Sequence, residues 1–191
     1  MNNVLTSGEG LSSAIQSIQE ELYSGLSNLW AGDIEGFGKV YKNIENSSDD
    51  IPKYYKSSKI FIPEVFNSIK GNYEDVYYND IKSCVFCFLV SDKDDTEDQV
   101  LFKNKVKVVF MIDLSKIYPS SNERQDSKAE KDAVGVLRDI NGSYIIGGIQ
   151  RGIDNVFSEY TTNKIRFNDL HPFHVFSVNI ELNYYLTDKC I

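Results

Sequence analysis

Cys84 and Cys87 are the residues whose type and spacing first suggest chemistry. A Cys-x-x-Cys pair can hold half a zinc site or form a thiol–disulfide centre. The surrounding residues fit neither. The pair lies within Ile81-Lys-Ser-Cys-Val-Phe-Cys-Phe-Leu-Val90, which reads as a buried strand, so residues three apart point to opposite faces. No second ligand pair follows at finger spacing, and a redox pair would need its first cysteine at a helix N-terminus. Core packing of reduced thiols is expected, in line with an odd total of 3 cysteines. His171 and His174 flank a proline and lack the spacing of a helical metal motif. Gly147-Gly148-x-x-x-Gly152 has no apolar strand immediately before it, as a dinucleotide loop would require. Asp92, Asp94, Asp95, Glu97 and Asp98 form an acidic run without the central glycine and terminal glutamate of a calcium loop. The chain contains no G-x-S-x-G and no Walker-type loop. The expectation is a protein that is not an enzyme, with no catalytic residues, no metal and no cofactor.

These residues sit on recognisable elements. Leu11, Ile15, Ile18, Leu22, Leu26 and Leu29 recur at steps of four and three, predicting an amphipathic helix over 9–29, with Thr6 and Glu9 at capping-box spacing. Gly32, Gly36 and Gly38 then break the chain before a short extended piece at Val40-Tyr41. Residues 46–50 compose a loop, and 59–62 before Pro63 read as an edge strand. Residues 81–90 and 104–114 are strands joined by an exposed acidic loop at 91–99. Residues 118–125 read as a second loop. Ser127 and Glu130 have the spacing of a second capping box, opening a helix with its stripe at Ala129, Ala133, Val136, Leu137 and Ile140. Ile145, Ile149, Ile153, Val156, Phe157 and Tyr160 extend helical spacing to residue 160, and alternation over 173–186 predicts a terminal strand with one face to the core.

Helices segregated around strands of this order predict one α+β domain over 1–191: an antiparallel sheet with an N-terminal helix and two further helices packed on it. The chain has 191 residues, long enough to bury a core without staples. No apolar run approaches a membrane span and no signal-peptide pattern opens the chain, so a soluble, unsecreted protein is expected. A formal charge of −8, with the Lys and Arg residues scattered singly, argues against a protein that grips nucleic acid by its phosphates. Tyr54, Tyr55, Tyr73, Tyr77 and Tyr78 crowd one stretch. They suit either a contact surface or a roof over the core.

The order of elements resembles the tail terminator and tail completion (neck ring) proteins of tailed bacteriophages. The helix at 9–29, the 81–114 hairpin with its acidic tip, Gly148–Tyr160 and His171–Asn179 carry the likeness. The last two look like segments in proteins of phages infecting Bacteroidetes, including the crAss-like phages. The resemblance implies a virion structural protein, in the tail or neck and assembled in the bacterial host cytoplasm, that forms a homo-oligomeric head-to-tail ring joining phage head and tail. The ring would be six-fold, or twelve-fold on a portal-type neck. It would meet other neck and tail proteins and let DNA pass without specific binding, with no membrane involved. Asp92, Asp94, Asp95, Glu97, Asp98, Tyr54, Tyr55, Tyr77 and Tyr78 are then candidate interface residues, the acidic tip facing the lumen or an adjacent ring. The alternative is a small intracellular phage-encoded binding module without catalytic activity.

Overall fold

The computed structural model describes residues 1–5, 8–44, 61–76, 81–162 and 170–186. In chain order the elements are β1 (Asn2–Asn3), α1 (Leu11–Leu29), β2 (Ile34–Lys39), β3 (Tyr41–Ile44), β4 (Phe61–Asn67), β5 (Asn72–Asp75), β6 (Cys84–Thr96), β7 (Leu101–Asp113), α2 (Leu114–Ile117), α3 (Asp126–Asp139), β8 (Tyr144–Arg151), α4 (Ile153–Val156) and β9 (Phe173–Tyr185). They form a mixed α+β fold. A six-stranded sheet has the order β1-β2-β6-β7-β9-β8, and a three-stranded antiparallel sheet the order β3-β4-β5. The large sheet is mixed rather than antiparallel, because β1, β2 and β6 run parallel to one another. No helix among the described residues is long and apolar enough to cross a membrane.

Burial on both faces explains the near-continuous apolar sequences of the central strands. Cys84, Phe86 and Phe88 of β6 join Val108, Phe110 and Ile112 of β7 and Phe176 and Val178 of β9 in one core under α1 and α3. The intervening residues Val85, Cys87, Val109, Met111 and Val175 form a second core with Val40, Val65, Val76, Val156 and Phe157 from the small sheet and the α4 region. The terminal strand therefore buries both faces over its first half, where alternation predicted one.

The N-terminal helix keeps its predicted stripe, with Ile15, Ile18, Leu22 and Leu26 buried. Leu29 is exposed instead, and Trp30 takes the core position beyond it. Thr6 lies outside the described residues; the helix is capped at Gly10, φ 55°, without a side-chain bond. Gln19, on the nominally polar side, is buried. Its Nε2 donates to Asn2 Oδ1 at 2.7 Å and Asn3 O at 2.9 Å, which ties β1 down.

Three predicted elements differ. The glycines after residue 32 do not end the chain's regularity, for Gly36 and Gly38 lie inside β2. A Cβ on Gly36 would stand 2.5 Å from the buried Phe86 ring, so glycine here admits a neighbouring side chain. Pro63 lies within β4, the central strand of the small sheet and not an edge. Its carbonyl accepts from Val76 N at 2.9 Å, just past the end of β5, so the donor it lacks falls where the ladder stops. Residues 144–151 form a strand where helical spacing predicted a helix, and α4 is a four-residue turn at 153–156. A bulge at Gly147-Gly148 shifts the register between Ile146 and Ile149. Both isoleucines thus pack on the first core although three apart, which imitates helical periodicity.

Candidate functional site

Two regions compete as functional: the acidic β6–β7 tip, and a cleft on the second face of the large sheet. The ladder at the tip continues beyond the predicted loop start. Asp94 pairs with Asn104, Asp95 with Lys103 and Thr96 with Phe102, leaving a short turn at 97–100. Each acid has a partner. Lys42 Nζ donates to Asp92 at 2.6 Å, Asn104 Nδ2 to Asp94 at 2.7 Å, Lys93 meets Asp95 at 2.7 Å, and Lys103 meets Glu97 at 3.1 Å. Asp98 accepts from the backbone N–H groups of Val100 at 3.0 Å and Leu101 at 2.8 Å, which hold its carboxyl below the usual range. Such pairing offsets much of the repulsion expected of an isolated acidic run. Tyr54, Tyr55, Tyr77 and Tyr78 lie outside the described residues. Tyr73 is half exposed and meets Tyr41 edge-on, with ring centroids 5.5 Å apart.

The cleft has a volume of about 490 Å³. It opens where the small sheet ends, between α4 and the β8 edge. Leu89, Val156, Tyr160 and Ile145 supply apolar wall, while Lys105, Asn179 and Glu181 supply polar floor from adjacent strands. Lys107 is committed to α4, donating to the carbonyls of Asn155 and Val156 at 3.4 Å each. The side-chain oxygen of the lining residue Asn179 is buried without a partner among the described residues, as are those of Gln150 and Ser177 outside the lining. Among the described residues, the cleft thus combines an apolar wall with a polar floor that carries both signs of charge. Local sequence does not reveal it, since Ile145 has helical spacing and Asn179 and Glu181 read as the solvent face of a strand.

A second arrangement lies on the opposite face. Glu130 does not cap α3, whose first residue is Asp126; it points inward. Its carboxylate accepts from Arg151 Nε at 2.7 Å and Nη2 at 2.6 Å, and lies 3.1 Å from His174 Nε2. Asp126 stands 3.6 Å from the other ring nitrogen. With His174 3% and Glu130 5% exposed, these two groups are buried, and the chain that runs out to Arg151 ties α3 to β8 and β9. Its sequence signal is the Ser127–Glu130 spacing, which reads as a capping box. His171 is exposed and takes no part.

Cys84 and Cys87 face the two different cores, as the strand reading requires. Burial pushes both thiols well above the ordinary cysteine range. Among the described residues, no group of three or more His, Cys, Asp or Glu side chains could hold a metal. A thiol reagent is expected to modify at most one cysteine per native chain and all 3 after urea unfolding. Rapid native reaction at Cys84 or Cys87, mapped by mass spectrometry, would contradict this placement.

The structure thus defines the class of protein: a mixed α+β fold with an apolar-walled cleft beside one edge of its large sheet. Compared with protein-family models, curated proteins and solved structures, the chain matches none at a significant level.

Proposed function

We propose that the chain is a ring-forming structural subunit of a bacteriophage virion, a tail terminator or neck component that joins head to tail and lets DNA pass. The observation that carries this reading is the cleft beside β8. Among the described residues its apolar walls stand open, and a neighbouring subunit seated there would bury them. Closed rings need two unlike patches on every subunit, and an uncovered cleft at one sheet edge supplies one of them. The net charge of −8 suits a lumen that DNA traverses without being held.

Mass photometry and negative-stain imaging of the full chain test the reading. We expect closed six-fold or twelve-fold particles at micromolar concentration, and the protein in the neck or tail of purified virions. A strictly monomeric protein, absent from virions, would refute it.

A further inference from the structure

We propose that Asn141 is a site of self-modification: the backbone nitrogen of Gly142 attacks its side-chain amide, and the α3–β8 junction converts without an enzyme into aspartate and isoaspartate forms. The inference stands apart from the ring-forming reading.

The step is complete with these two residues and water. The Gly142 nitrogen gives its proton to solvent base and bonds to Asn141 Cγ. The Cγ–Nδ2 bond breaks and the amide nitrogen leaves as ammonia. Solvent water then opens the resulting succinimide at either carbonyl. One opening gives aspartate. The other gives isoaspartate, in which the main chain runs through the former side chain.

Asn141-Gly142 is the only Asn-Gly step in the chain. A side chain on the following residue would crowd the attacking nitrogen, and glycine removes that obstacle. Packing also requires glycine there, because a Cβ on Gly142 would stand 2.3 Å from the Tyr144 ring. That ring is pinned, since the Tyr144 hydroxyl donates to Leu137 O. Tyr144 thus demands the residue that opens Asn141 to attack.

The fold leaves the pair accessible. Asn141 lies just beyond Ile140, the C-cap of α3, and residues 141–143 are all exposed. Among the described residues, nothing bonds the Asn141 side chain. The Gly142 N–H makes a single turn bond, to Ile140 O at 3.0 Å. Asn67, which precedes Ser68, is held far more firmly. It is 4% exposed; its Oδ1 accepts from the N–H groups of Ile69 and Lys70 at 3.1 Å each, and its Nδ2 donates to Glu74 at 2.6 Å. Asn67 cannot turn its amide towards the next nitrogen without breaking these bonds.

The two products differ in their effect. Aspartate places a negative charge beside Asp139 at the C-terminal end of α3, where the helix dipole disfavours it. Isoaspartate adds a carbon to the main chain between two anchored points. On one side Ile140 N donates to Val136 O at 3.2 Å, and on the other Ser143 O accepts from Asn183 N at 2.8 Å. The longer chain must push Gly142 off the Tyr144 ring or loosen one anchor, so isoaspartate is the more damaging form.

The test incubates the full chain in mildly alkaline buffer at body temperature and maps its peptides by mass spectrometry against an unincubated sample. Labelling with an isoaspartyl methyltransferase identifies isoaspartate. Native Asn141 should gain the amide-to-acid mass increment at least tenfold faster than Asn67, and faster still as pH rises, because the attacking nitrogen must lose its proton. Asn141→Gln, whose longer side chain must close a larger ring, should keep the melting curve and abolish conversion here. The isoaspartate species, separated by ion exchange, should melt below both the fresh chain and Asn141→Asp. Conversion no faster than at Asn67, or only after urea unfolding, would overturn the proposal. An isoaspartate species that melts like Asn141→Asp would overturn the effect assigned to the lengthened main chain.

Discussion

Phe110→Ala is expected to lower the unfolding free energy by about 3–5 kcal/mol, a large fraction of the 5–15 kcal/mol that holds a typical domain together. Phe110 is fully buried at the centre of β7. Its ring stacks on Phe176 at 4.9 Å between centroids, lies 6.3 Å from Phe86, and meets Trp30 edge-on at 6.4 Å. These partners come from β9, β6 and the end of α1, so one truncation opens a cavity shared by the sheet and its covering helix. None of them can collapse into the space without breaking its own strand or helix register. Urea unfolding followed by far-UV circular dichroism measures the loss. Phe110→Leu, which refills much of the volume, should recover more than half of it. A loss below about 1 kcal/mol for the alanine variant would mean that this cluster is not the centre of the core.

Glu130→Ala is expected to cost about 2–3 kcal/mol. Breaking a fully buried ion pair costs about 3–5 kcal/mol. Here the Arg151 side chain is 59% exposed, so water recovers part of the loss on that side. His174, at 3% exposure, loses its 3.1 Å contact and keeps Asp126 at 3.6 Å from its other ring nitrogen. Burial by itself would raise the Glu130 carboxyl, but the hydrogen bonds from Arg151 and His174 outweigh it and hold the carboxyl below its ordinary value of 4.5. The group therefore adds stability that is fully present above about pH 4.5 and is lost as pH falls through its lower folded-state value. Glu130→Gln should keep the shape, lose part of the stability at pH 7, and flatten the acid limb of the stability–pH curve. An unchanged acid limb in Glu130→Gln would place the relevant carboxylate elsewhere.

Much of the architecture follows from local sequence. The period of Ile15, Ile18, Leu22 and Leu26 defines α1, because an apolar stripe at helical spacing has no other way to leave water. Two-residue alternation and apolar continuity locate β6, β7 and β9, and with them the opposite faces of Cys84 and Cys87. Other features depend on partners distant in sequence. A bulge at Gly147-Gly148 gave β8 the spacing of a helix, and only its pairing with β9 makes it a strand. Gly36 reads as a breaker until the Phe86 ring lies against it. Glu130 has the spacing of a cap, but burial against Arg151 and His174 gives it a different task.

The cleft belongs entirely to the second group. Leu89, Ile145, Tyr160 and Glu181 come from four separate stretches of chain, and no local pattern places them together. By itself the sequence determined which segments are helix or strand wherever a single periodicity had to be buried. The tertiary structure decided the parallel β1-β2-β6 pairing, the small sheet crossing the large one, and which parts of each face stay open. Those outcomes depend on contacts between residues far apart in the chain, whose free energy exists only once the strands have been brought side by side.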